Sequence, residues 1–88
     1  MNETSKQIAN NRRLIIGFST RLQSAMDKKS LRAVDLKNKL GTHRSHVSNW
    51  LSGRVLPNAT TLVKLSEALS VSIDYLLLGR EDVSHSLR

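Results

Sequence analysis

Cysteine is absent from the chain, and proline occurs once, glycine four times and aromatic residues three times in 88 positions. Without cysteine there is no disulfide scaffold, no thiolate zinc site and no thiol nucleophile. Redox conditions therefore place no constraint on the compartment, and a reducing cytoplasm suits the chain. No apolar run approaches the roughly 18–20 residues that a membrane span requires. The cluster nearest the start, Leu14-Ile15-Ile16, is too short for the apolar centre of a signal peptide. The expectation is a soluble cytoplasmic protein. At this length one domain fits, burying about 60% of its unfolded surface. Two domains, a large barrel or a doubly wound sheet do not.

What the chain does have is positive charge, unevenly placed. The formal net charge is +7. Residues 6–54 hold eleven Lys or Arg against two Asp, a net +9, whereas residues 55–88 carry a net −1. Such an asymmetry suggests one face suited to a polyanion. A solvated basic surface with no partner accounts for the charge alone equally well.

Apolar spacing points to helices throughout. Residues 1–11 lack a sustained apolar period and read as a mobile arm or the ragged start of a first helix. Ile15, Phe18, Leu22, Ala25 and Met26 then recur at intervals of three and four, one stripe of a helix ending near Lys28. Arg21, Lys28 and Lys29 fall off this stripe and are expected to face water or a ligand. A second helix is expected over 33–39, with Leu36 and Leu40 inward and Gly41 as its stop. Thr42 is a candidate cap for a third helix running to about Leu51, whose apolar positions are Val47, Trp50 and Leu51. Ser52-Gly53 ends it, and Pro57 lies in the loop that follows. Asn58 caps a fourth helix with Leu62, Leu65, Ala68 and Leu69 inward. Ser72 caps a fifth, with Ile73, Leu76 and Leu77, that Gly79 closes. No segment alternates with period two. The reading is an all-α domain of five short helices over 12–79, followed by a polar tail or linker start at 80–88.

Residues 33–53 carry the functional signal. Two helices joined by a tight turn containing Gly41 form a helix-turn-helix unit, whose second helix enters the DNA major groove in its DNA-binding form. The third helix has the composition for this. Its early positions are His43, Arg44, Ser45 and His46, with Ser48 and Asn49 following, while Val47 and Trp50 turn inward. Arg can make paired bonds to guanine, Asn to adenine, and Ser can donate or accept.

The run Gly41-Thr42-His43-Arg44-Ser45-His46-Val47-Ser48-Asn49-Trp50-Leu51-Ser52-Gly53 resembles the turn and recognition helix of phage-repressor-type regulators, the lambda-repressor-like, Cro-type helix-turn-helix family. Leu56-Pro57-Asn58 with Leu62, Leu65 and Ala68-Leu69 is similar to that family's loop and fourth helix. Residues Val71-Ser72-Ile73-Asp74-Tyr75-Leu76-Leu77-Leu78-Gly79 are similar to its fifth, particularly in prophage repressors. The resemblance covers 18–79 and implies a compact five-helix, lambda-repressor-like DNA-binding fold. It implies that Arg44, Ser45 and Asn49 face bases, with His43 and His46 at the edge, touching bases or phosphates. It implies phosphate contacts from Ser52 and Arg54 and from the start of the second helix at Arg32 and Ala33, where unpaired N–H groups attract anions. Two departures stand out. Many relatives have Ser or Thr in place of Arg32 and Gln in place of Ala33, so the second helix needs another cap, for which Ser30 is the candidate. Many have Glu in place of Leu51, which here is expected to exchange an ion pair for packing against Met26.

Trp50 is assigned to the core rather than to base stacking. Leu76, Leu77 and Leu78 cannot all face one core, and Tyr75, Leu76 and Leu78 are the candidate homodimer contact. His43 and His46 are spaced for a shared metal, but no Cys or suitably spaced acid joins them, and neither metal nor cofactor is expected. His85 has no assigned role. With no paired carboxylates, P-loop or nucleophile elbow, no enzymatic activity is expected. The leading expectation is a repressor that binds an inverted-repeat double-stranded DNA operator as a dimer. It is either a complete small regulator or the N-terminal half of a longer repressor with a C-terminal oligomerisation domain. The alternative is an antitoxin that binds a toxin protein and autoregulates its operon.

Overall fold

The computed structural model describes the backbone of residues 2–80 and the side chains of residues 11–80. Five helices follow one another: α1 (Asn2–Lys28), α2 (Ala33–Leu40), α3 (Arg44–Leu51), α4 (Ala59–Leu69) and α5 (Ile73–Leu78), with no strand among the described residues. The expected all-α fold class is what the structure has. Helix α1 packs on α3 and α5, α2 on α3 and α4, and α4 on α5.

Helix α1 is longer than its apolar stripe. Helical backbone begins at Asn2 and runs through the stretch read as an arm or a ragged start. Neither Pro nor Gly occurs before Gly17, so nothing in the sequence breaks the helix upstream of the stripe. The stripe itself behaves as expected: Phe18, Leu22, Ala25 and Met26 are buried and Ile15 is half-buried. At the other end Ser30 takes a left-handed conformation (φ 56°), and the N–H of Leu31 donates to the Met26 carbonyl at 2.9 Å. Ser30 thus terminates α1 and is not the cap of α2.

Helix α2 begins at Arg32 without an accepting cap side chain. Asp35 compensates from inside the first turn: its Oδ2 accepts from the Arg32 backbone N–H at 2.9 Å and from the Arg32 Nε at 3.4 Å. This is the reciprocal half of a capping box, supplied by the acid alone. Leu36 and Leu40 are buried. Gly41 stops the helix at φ 65°, and the N–H of Thr42 reaches back to the Lys37 carbonyl at 3.1 Å. Nothing lies within 4 Å of where a Gly41 Cβ would stand, so the backbone angle alone asks for glycine here.

The remaining caps divide. Asn58 accepts from the Thr61 N–H at 2.8 Å and Ser72 from the Tyr75 N–H at 2.9 Å, as the sequence predicts. Thr42 does not cap α3; the N-cap is His43, with no side-chain cap bond, and the Thr42 hydroxyl is engaged elsewhere. Residues from all five helices meet in one core: Phe18, Leu22, Met26, Leu36, Val47, Trp50, Leu65, Leu69 and Leu76, with Leu51 and Leu62 packed at its edge. Trp50 is 6% exposed, a core residue as expected.

Arg21 departs from expectation. It lies partly buried across the α1–α5 contact, where Nε donates to the Leu76 carbonyl at 3.0 Å and Nη2 to the Leu77 carbonyl at 2.9 Å. A cation at a helix C-terminus satisfies orphan carbonyls and suits the helix dipole. Leu76 also moves: at 0% exposure it is core, so its side chain is not available to a second copy. In a helix of six residues one face must turn inward, and Leu76 occupies it. Leu78 is 52% exposed, and Tyr75 and Leu77 are partly buried against the core. The expected tail at 80–88, with His85, lies outside the described residues beyond Arg80.

Candidate nucleic-acid interface

Helices α2 and α3 and the turn between them form the site. Val47 and Trp50 fasten α3 to the core from one side. The other side is left to solvent: His43, Arg44, Ser45, His46 and Ser48 are exposed and Asn49 is half-buried. Position follows from helical period, since residues three and four apart share a face. All five residues expected to meet bases therefore stand on or beside one open face.

The flanking residues differ in how free they are. Arg54 is exposed just past α3. The Arg32 side chain is 80% exposed although it leans on Asp35 at 3.4 Å, a long ion pair. Ala33 is half-buried at the first turn of α2. The Ser52 hydroxyl donates to the Asn49 carbonyl at 3.2 Å, so in the free chain its proton is already used. Among the described residues Arg32–Asp35 is the one ion pair. That hydrogen bond from the Arg32 backbone, joined by the guanidinium, holds the Asp35 carboxyl below the usual carboxylate range.

Sequence reasoning missed a contact inside the turn. Thr42 Oγ1 lies 2.8 Å from His46 Nδ1. The His46 ring lies 6.4 Å from the Trp50 ring, tilted by 30°, and meets the His43 ring edge-on at 5.4 Å. The spacing of Thr42, His46 and Trp50, four and four, was the available signal; the capping role assigned to Thr42 concealed it. No group of three or more potential metal ligands occurs among the described residues. Nor, among them, is any helix long and apolar enough to cross a membrane.

Two helices joined by a glycine turn, with the second anchored on one face and open on the other, define a helix-turn-helix protein. A family model described as helix-turn-helix matches residues 22–76, and the chain belongs to that family. It is similar to the HTH-type transcriptional activator BcrR of Enterococcus faecalis, 38% identical over 64 residues that make up 73% of this chain and 31% of that protein. It is also similar to the uncharacterized HTH-type transcriptional regulator YqaE of Bacillus subtilis (strain 168), 34% identical over 65 residues, 74% of this chain and 56% of the relative. The chain thus spans about a third of one curated relative and just over half of the other. No solved structure matches it.

Proposed function

We propose that this chain binds double-stranded DNA in a sequence-specific way and regulates transcription as a dimer on an inverted repeat, in the manner of a phage-type repressor. The observation that carries the reading is the two-sided character of α3: Val47 and Trp50 are buried while Arg44, Ser45 and the surrounding polar groups stand in solvent. In this reading α3 lies in the major groove, and Arg44, Ser45 and Asn49 read base edges, with His43 and His46 at the margin. Arg32, the N-terminus of α2 at Ala33, Ser52 and Arg54 hold phosphates; Ser52 does so by turning its hydroxyl away from the Asn49 carbonyl. Dimer symmetry sets the half-sites about one helical turn apart, ~34–36 Å. Occupancy then blocks polymerase.

A second reading of the sign is favoured by a specific observation: one relative is named a transcriptional activator. The same occupancy would then recruit polymerase. Selection from random duplex DNA at near-physiological salt, followed by sequencing, tests the shared core of both. An enriched inverted repeat is the expected result. Salt-sensitive binding with no enriched sequence would reduce the basic face to an electrostatic platform and overturn the reading.

A further inference from the structure

We infer that Thr42 is a positioning residue for His46, and that His46 meets DNA through one atom, its Nε2–H, as a hydrogen-bond donor. The inference deepens the DNA-binding reading above and rests on it for the ligand, though not for the state of the ring. A histidine on an exposed helix face ordinarily offers either nitrogen in either tautomer. Here the ring has neighbours on three sides. Nδ1 lies 2.8 Å from Thr42 Oγ1, so the chain itself occupies it. The Trp50 ring stands beside the imidazole at 6.4 Å, and the His43 ring closes on it edge-on at 5.4 Å. Trp50 is held by the core, so this side of the bracket is rigid. What remains facing outward is Nε2.

A hydroxyl can donate to Nδ1 or accept from it, and we take Thr42 as the donor. When the Thr42 Oγ1–H donates to Nδ1, the proton of the neutral ring sits on Nε2. A donor in that place suits the surface DNA presents. Guanine N7 and O6, adenine N7 and thymine O4 all accept in the major groove, and one of these is the partner of Nε2–H. Thr42 thus occupies the turn of the helix-turn-helix and acts on DNA through the ring four residues along. Its own φ, ψ and backbone bond to Lys37 belong to the turn and are independent of the hydroxyl.

Two measurements on the full chain test this. Long-range 1H–15N NMR at pH 8.5 reads the tautomer of His46 in the free protein. The expected pattern is a protonated Nε2 and an unprotonated, accepting Nδ1; Thr42→Val mixes the tautomers and Thr42→Ser restores the wild-type pattern. Base-resolved selection reads the DNA side. His46→Gln places an amide nitrogen near the position of Nε2, and His46→Asn places one near Nδ1. Preference at one base-pair position should survive in His46→Gln and Thr42→Ser. It should fall about 3- to 10-fold, the worth of one hydrogen bond, in His46→Asn and Thr42→Val. A protonated Nδ1 in the wild-type neutral ring overturns the inference. So does an unchanged base profile in Thr42→Val, or a His46→Asn profile matching that of His46→Gln. If the wild-type chain selects no sequence at all, the DNA-binding reading fails and takes the base contact with it, while the NMR result still decides whether Thr42 sets the ring.

Discussion

Arg21 donates to the Leu76 and Leu77 carbonyls from a seat between two glycines. A Cβ added at Gly17 would stand 2.8 Å from Nη2, and one at Gly79 3.0 Å from Nη1. Two effects compete at Gly17. Alanine there gains about 0.5–1 kcal/mol of helix propensity, but it pushes the guanidinium off its carbonyls. Charged hydrogen bonds of this kind contribute about 1.5–3 kcal/mol. Arg21→Ala is therefore expected to lower urea stability by about that amount, and Arg21→Lys to recover only part, because one ammonium cannot reproduce the planar fork. Gly17→Ala should be neutral or destabilising alone and stabilising in the Arg21→Ala background. A double-mutant cycle shows the sign change; additivity would mean that the two do not share space. On the proposed DNA-binding surface, Arg44→Ala should weaken specific binding by ~1–3 kcal/mol and relax one base position. Arg54→Ala should weaken all sequences alike and reduce the salt slope by about one unit. Binding titrations across salt, repeated on single-base operator variants, separate the two. None of Arg21's role was legible in the sequence, because an arginine off the apolar stripe looks like surface and its acceptors lie 55 and 56 positions away.

Helices in this chain are ended by local chemistry, and α2 is the instructive one. Arg32 cannot accept a hydrogen bond, so the first-turn acid Asp35 does the capping from the far side. The carboxyl is held below its usual range by the Arg32 N–H first and by the guanidinium after it. A depressed carboxylate stabilises the folded state fully above its unfolded pKa, and that stability is lost as pH falls through the lower folded value. Asp35→Ala should thus melt at a lower temperature than the wild type at pH 7, and the gap should close in strong acid. Thermal melts at both pH values read this, and a gap that is constant with pH would remove the charge from the account. Asn58, Ser72, Gly41 and Gly79 were all legible as caps or stops because each acts on its immediate neighbours. Ser30 and Ser70 were not: both hold left-handed φ near 57°, a conformation that sequence readers assign to glycine.

Across the whole molecule, the core draws on every helix and leaves the basic face of α2–α3 open. Leu76 and Leu78 lie two residues apart and have different fates. Leu76→Ala should cost about 2–5 kcal/mol, as for a filled core site. Leu78→Lys should leave folding nearly unchanged. In the proposed dimer, with Leu78 at the two-fold contact, it should shift sedimentation toward monomer and cost the inverted repeat its advantage over a half-site. Unchanged sedimentation and unchanged half-site preference would remove Leu78 from the proposed contact.

Read without coordinates, the residues of this chain determined the helical class, the inward stripes, most of the stops and the open face of α3. Each of these follows from spacing or from contacts within one turn. Tertiary structure alone decided that Arg21 belongs to α5, that Leu76 rather than Leu78 fills the core, and that Thr42 spends its hydroxyl on His46. The first two depend on how α1 and α5 meet, and the third on the angle at which the turn delivers α3. Periodicity records which face of a helix is apolar; it does not record which neighbour that face will meet.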